Sequence, residues 1–157
     1  MSVKPAVLFV CLGNICRSPL AEEAFRREAA RIGLRVEVDS AGTGDWHVGR
    51  APDPRAQAVA VRHGADISSL RARQVTPEDF HRFTHIIALD AQNFVDLKAL
   101  RPADGAASLS LLLDHVPGRE GQPVADPYYG EEAGFDVTWR EVSEGAACLA
   151  RKIAAGG

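Results

Sequence analysis

The run Val7-Leu8-Phe9-Val10 constrains this chain more than any other stretch. Four consecutive apolar residues, ended at Cys11 by a short loop holding Gly13 and Asn14, predict a strand buried on both faces. Ser18-Pro19 then restarts the chain as a helix, with Ser18 as N-cap and Pro19 at the first helical position. Leu20, Ala24, Phe25 and Ile32 supply its inward stripe, Glu22 and Glu23 lie near the positive end of its dipole, and Gly33 closes it. Strand, tight loop and helix in that order commit the chain to a sheet with helices packed against it.

The remaining segments repeat the pattern. Strands are predicted over 36–40, 84–89 and 109–113, the last with a triple Leu that also suits a helix. Helices are predicted over 54–63, ended by Gly64, from Asp90 to about position 100, and over 135–154. The last has a stripe at Phe135, Trp139, Val142, Ala146, Leu149 and Ile153. Thr76-Pro77-Glu78-Asp79 starts a short helix with Thr76 as N-cap. Short strands alternating with helices imply an α/β fold: a single doubly wound domain over 1–157, with a mostly parallel four-stranded sheet and helices on both faces. Ligands of such sheets bind beyond the carboxyl ends of the strands at the topological switch point, which is where the Cys11 loop stands.

That loop has the means to hold an anion. A strand-to-helix loop directs several backbone N–H groups inward, and Gly13 and Asn14 tolerate the left-handed backbone that tight loops need. Arg17 adds a planar fork for two oxygens of a phosphate. The same positive surroundings favour the thiolate at Cys11. A nucleotide-binding P-loop is excluded, because no second Gly followed by Lys comes after Gly13. The formal net charge of −3 leaves no general basic footprint for nucleic acid, so any anion must be caught locally.

Three cysteines, at 11, 16 and 148, are too few and too odd in number for a secreted disulfide framework. They suit a reducing, cytoplasmic setting, and Cys148 falls beside the apolar stripe of the last helix. A C-x4-C spacing and five scattered histidines argue against a metal, and no cofactor is expected. No signal peptide is expected in Met1-Ser2-Val3-Lys4-Pro5, and no stretch is apolar enough to span a bilayer.

The octet Cys11-Leu12-Gly13-Asn14-Ile15-Cys16-Arg17-Ser18 resembles the C-x5-R-S phosphate-binding loop of the low-molecular-weight protein tyrosine phosphatases. Asp39-Ser40-Ala41-Gly42-Thr43, Ala72-Arg73-Gln74 and Asp126-Pro127-Tyr128-Tyr129 extend the resemblance over essentially the whole chain. It implies a flavodoxin-like sheet and phosphotyrosine hydrolysis without metal or cofactor. Cys11 would be the nucleophile, Arg17 and the amides of residues 12–17 the phosphate cradle, and Asp126 the acid that protonates the leaving oxygen. Ser18 would donate to the Cys11 sulfur, while Asn14 and Ser40 keep the loop open. Trp46, Tyr128 and Tyr129 would wall the pocket, Leu12 and Ile15 would line its floor, and Asp45 and His47 lie in a loop that tunes substrate preference.

Cys16 has two equal readings: a redox partner that forms a disulfide with Cys11, or packing behind the loop. Asp126 taken alone would simply start a turn at Pro127, and Asp90 reads as a helix cap rather than a catalytic group. The family usually has a histidine where Leu70 stands and often a methionine where Leu89 stands. Expected partners are tyrosine-phosphorylated proteins and a cognate tyrosine kinase, with no nucleic acid or membrane, the chain being a monomer or weak dimer. Two alternatives carry the same loop: a non-catalytic phosphotyrosine-binding module and a thiol-linked arsenate reductase. The second is disfavoured because no further cysteine lies between Phe80 and Phe94.

Overall fold

The computed structural model describes residues 4–157, so the expectation about the first three residues lies outside the described residues. Strand β1 (Ala6–Cys11) is buried at all six positions, as its unbroken apolar run requires. It pairs in parallel with β2 (Glu37–Gly42) on one side and β3 (His85–Ala88) on the other. Strand β4 (Ser108–Leu111) adds in parallel to β3, giving the order β2-β1-β3-β4. The sheet is therefore wholly parallel, with β1 at its centre and the chain reversing direction across the gap between β1 and β3.

The pleat of β1 divides the interior in two. Val7 and Phe9 face a core shared with helices α1 (Arg17–Arg31), α2 (Pro54–Arg62) and α5 (Ala133–Ala154), where Phe9 and Phe25 pack as a tilted pair 5.5 Å apart. Leu8 and Val10 face a second core with Phe80 of the short α3 (Asp79–Arg82) and Leu97 of α4 (Ala91–Leu100). Helix α5 packs along α1 and buries the whole predicted stripe. Gly145 sits inside α5 because a Cβ there would come within 2.5 Å of the Leu112 side chain. Among the described residues no helix is long and apolar enough to cross a membrane.

Several predicted boundaries shift for physical reasons. Helix α1 begins at Arg17 with Cys16 at the cap position and no side-chain cap, so Ser18 lies within the first turn. Its hydroxyl is occupied by the loop instead. Thr76 is not the cap of α3: the Asp79 carboxylate accepts the Thr76 N–H, so the bond runs the other way. The fourth strand ends at Leu111, and the triple Leu continues as a 3-10 turn (Leu112–His115) that buries Leu112 against Gly145. Asp90 caps α4 as predicted, its Oδ1 accepting from Asn93 N at 2.8 Å.

Candidate active site

The loop from Leu12 to Cys16 leaves the carboxyl end of β1 and enters α1 directly, because Asn14 takes the left-handed backbone (φ 57°) and turns the chain through it. Its carbonyls are taken from outside. Cys11 O accepts from Thr43 N, Leu12 O from Gly44 N, Ile15 O from Asp53 N and Cys16 O from Leu20 N. None of these four oxygens is left to oppose an anion at the loop's centre. The loop can lie this close to β2 only because position 42 is glycine: a Cβ there would sit 2.8 Å from Leu12 O and 3.2 Å from Asn14 N.

Cys11 Sγ is buried at the base of the loop, 3.0 Å from Ser18 Oγ, and receives the Asn14 N–H at 3.3 Å. The Asn14 amide orders the surrounding bonds. Its Oδ1 accepts from Arg73 N, so its NH2 must donate, and it does so to Ser18 Oγ (2.7 Å) and Ser40 Oγ (3.0 Å). Ser18 Oγ is thus an acceptor toward Asn14 and lies within hydrogen-bond reach of the sulfur. Ser40 accepts from Asn14 in the same way and passes its own proton on, to Glu22 Oε1 at 2.7 Å. Glu22 is buried in α1; burial pushes its carboxyl up, while the Ser40 bond and Arg26 pull it down without cancelling the effect.

Arg17 is 3% exposed and points across the loop. Its Nη1 donates to Asp90 Oδ2 (2.8 Å) and Val124 O (3.0 Å), and its Nη2 lies 3.5 Å from Asp126 Oδ2. Burial works against the guanidinium charge, but Cys11, Asp90 and Asp126 more than compensate and push Arg17 up, so it stays charged. The two carboxylate oxygens of Asp126 make separate contacts. Oδ1 caps the turn by accepting Tyr128 N, while Oδ2 faces Arg17.

Several contacts tie down the segment bearing Asp126, among them the Ala125 N–H donated to Glu141 Oε1 at 3.2 Å and the Ala125 carbonyl accepting from Thr138 Oγ1 at 3.3 Å. Val124 N donates to Leu89 O, and Leu89 N to Val10 O, which sews it to the strand ends. Arg55 of α2 donates to Tyr128 O (3.0 Å) and Gly130 O (3.4 Å), lies over the Phe135 and Tyr128 rings, and is itself held by Asp53.

One cleft of about 380 Å³ opens over Cys11. Leu12, Gly13, Ile15, Cys16 and Arg17 form its base, and Trp46, His47, Asp126, Tyr128 and Tyr129 its walls. The aromatic residues stand out from the surface, Trp46 at 67% and Tyr129 at 92% exposure, with the two tyrosines edge to face at 4.9 Å. Cys16 is buried behind the loop, and burial, with Asp53 next, pushes its thiol far up, so it stays protonated. Cys148 is half-buried against the core, away from the cleft, and Leu70 packs on that same core. Among the described residues no cluster of side chains could hold a metal ion.

Four contributors escape the sequence-level expectations. Asp90 holds Arg17 as well as capping α4, and its signal was a carboxylate directly after β3, across the switch point from Cys11. Glu22 ends the hydrogen-bond chain, Arg73 orients Asn14 through its backbone, and Arg55 anchors the Asp126 segment. None of these three had a local signature, since each acts through residues far off in sequence.

Comparison with known proteins places the chain among relatives. The family model for low molecular weight phosphotyrosine protein phosphatases matches residues 6–156. The low molecular weight phosphotyrosine protein phosphatase of Schizosaccharomyces pombe is 42% identical over 132 residues, covering 82% of this chain and 84% of that protein. The crystal structure of YfkJ from Bacillus subtilis superposes with a TM-score of 0.91 at 38% identity, covering 99% of this chain and 98% of that one. A structure described as a Drosophila arginine phosphatase superposes with a TM-score of 0.87 at 30% identity, covering 94% and 96%. A match over almost the whole chain, in sequence and in fold, settles the kinship: this chain belongs to the low molecular weight phosphotyrosine protein phosphatase family.

Proposed function

We propose that the protein, as one domain over 1–157, hydrolyses phosphotyrosine and other aryl phosphate monoesters through a cysteinyl-phosphate intermediate. The observation that carries this is the convergence on one cleft of a buried cysteine sulfur, a buried guanidinium and a carboxylate facing it. In the first step the Cys11 sulfur forms a bond to phosphorus as the bond to the phenolic oxygen breaks, and Asp126 gives that oxygen its proton. Arg17 and the amides of Leu12, Gly13, Asn14, Ile15, Cys16 and Arg17 itself hold the equatorial oxygens. In the second step Asp126 takes a proton from water, the water oxygen bonds to phosphorus, and the Cys11 thiolate leaves. Ser18, within hydrogen-bond reach of the sulfur, stabilises that thiolate in both steps.

Aromatic walls of Trp46, Tyr128 and Tyr129 favour an aryl substrate. Tyrosine-phosphorylated proteins, a cognate tyrosine kinase among them, are the proposed partners, met by a monomer or weak dimer in the cytoplasm. Cys16 would spare an oxidised Cys11 by closing a disulfide on the sulfenic acid, whose oxygen leaves as water. Burial of the Cys16 thiol slows that attack, and packing remains its competing role.

Hydrolysis of p-nitrophenyl phosphate tests the reading. Activity should vanish in Cys11→Ser and fall about 10²–10⁴-fold in Asp126→Ala. An inactive wild-type protein, or an active Cys11→Ser, refutes it. Phosphoarginine and arsenate assayed beside the aryl ester should be turned over far more slowly. Faster turnover of either would move the chain to that chemistry.

A further inference from the structure

We propose that a second groove, on the far side of Leu12 and Trp46 from Cys11, takes a lysine or arginine side chain flanking the phosphotyrosine of a protein substrate. The inference rests on the phosphatase reading above and names the class of peptide it prefers.

The groove has a volume of about 250 Å³ and shares Leu12 and Trp46 with the catalytic cleft, so these two residues form the ridge between them. Both are open to solvent, Leu12 at 43% and Trp46 at 67%. The ridge is seated rather than loose. The indole lies on Gly44, where a Cβ would come within 2.0 Å of the ring, and Gly44 N is bonded to Leu12 O. A peptide whose phosphotyrosine descends to Cys11 can cross this ridge with the residues on one side of it. Three residues of extended chain reach about 10 Å, enough to carry a flanking side chain into the adjoining hollow.

The chemistry of the hollow selects what enters. Trp46, Leu100 and Val75 give it an apolar lining, and Asp96 is the one charged residue among those that form it. Asp96 Oδ1 is taken by Gln92 Nε2, whereas Oδ2 has no partner among the described hydrogen bonds and ion pairs. Lys98, two positions along α4, does not share its face. A hollow with apolar walls beside the polar Thr43 and Gln74, and with a carboxylate among its lining residues, fits a side chain with an aliphatic stem and a cationic head. Trp46 adds an aromatic face for the same cation. A glutamate in that place would leave its own charge against Asp96.

The test compares phosphotyrosine peptides of otherwise uncharged sequence, carrying Lys, Ala or Glu at one, two or three residues on either side, with p-nitrophenyl phosphate as the substrate that lacks flanks. In the wild-type protein kcat/KM should rank Lys above Ala above Glu at one position. Each step should be about two- to fivefold, as expected of a solvent-exposed charge pair, carried by KM and weakened by salt. Asp96→Asn should level the three peptides and Asp96→Lys should reverse them, with p-nitrophenyl phosphate turnover unchanged in both. Equal rates for the three peptides at every position, or a lysine preference that survives in Asp96→Lys, overturns the subsite. Failure of wild-type protein on p-nitrophenyl phosphate would instead count against the phosphatase reading.

Discussion

Replacing Asp90 with asparagine separates its two roles. Asparagine caps a helix about as well as aspartate, so α4 should keep its start. What disappears is the charged end of the Asp90–Arg17 pair, a 2.8 Å bond to a guanidinium that is 3% exposed and has only Val124 O and the more distant Asp126 besides. A hydrogen bond to a charged group contributes about 1.5–3 kcal/mol. For a protein of this size that predicts a fall in Tm of roughly 3–12 °C. The proposed mechanism makes the kinetic consequence larger, because it needs Arg17 to meet two phosphate oxygens with its fork already oriented. A misplacement of about 1 Å in such a group can lower the rate on the order of 10²-fold.

The assay is p-nitrophenyl phosphate turnover at saturation, with competitive inhibition by inorganic phosphate and a thermal melt on the same sample. Asp90→Asn should lose kcat and phosphate affinity together, and Asp90→Ala should lose about 1 kcal/mol more stability as the cap goes too. A variant that melts lower yet keeps wild-type kcat and phosphate inhibition would refute the positioning argument. Val124 and Asp126 would then suffice to hold Arg17.

Three further outcomes follow from the same contacts. Glu22 has its carboxyl raised by burial, so the stability it contributes is full at acid pH and is lost as pH rises through its folded value. Glu22→Gln should therefore gain on wild type between acid and neutral pH in urea melts; a constant difference would contradict the burial. Arg55→Met should loosen the Asp126 segment and raise KM for aryl phosphates severalfold; an unchanged KM would show that the Val124 and Ala125 bonds hold that segment without it. His115 is pushed down to about 4, first by burial and then by Lys152, which donates to its Nδ1 at 2.9 Å while Ser110 meets its Nε2. Its neutral form is favoured in the fold, so it adds stability above its ordinary value near 6.5 that fades as pH falls through about 4. Discounted for its partial exposure, this is about 1–2 kcal/mol. An NMR titration of His115 should move up in Lys152→Met, and no movement would assign the whole effect to burial.

The legibility of this protein in its sequence follows the range of its interactions. The β1 run, the loop and the opening of α1 are consecutive residues that build one local structure, so the strand, the tight loop and the helix behind it are legible directly. The same holds for Asp90 at the start of α4 and for the stripe of α5. Where the reading went astray, a side chain had been assigned to its neighbours and was in fact used at a distance. Position alone makes Ser18 a helix cap, whereas its hydroxyl lies against Cys11 as the family resemblance implies; position alone makes Thr76 the cap of α3, whereas its N–H is held by Asp79.

The sequence by itself thus determined the parallel α/β layout and the tight loop between β1 and α1, because hydrophobic period and backbone turn chemistry are local properties. Tertiary structure alone decided that Asp90, Val124 and Asp126 surround one guanidinium. Only there do residues 17, 90, 124 and 126 come together, at the strand ends where the chain reverses direction across the sheet. It also decided that Glu22, on the buried face of α1, ends the bond chain that runs from Ser18 through Asn14 and Ser40. Hydrogen-bond polarity passes through space from one group to the next, and no spacing along the chain records it.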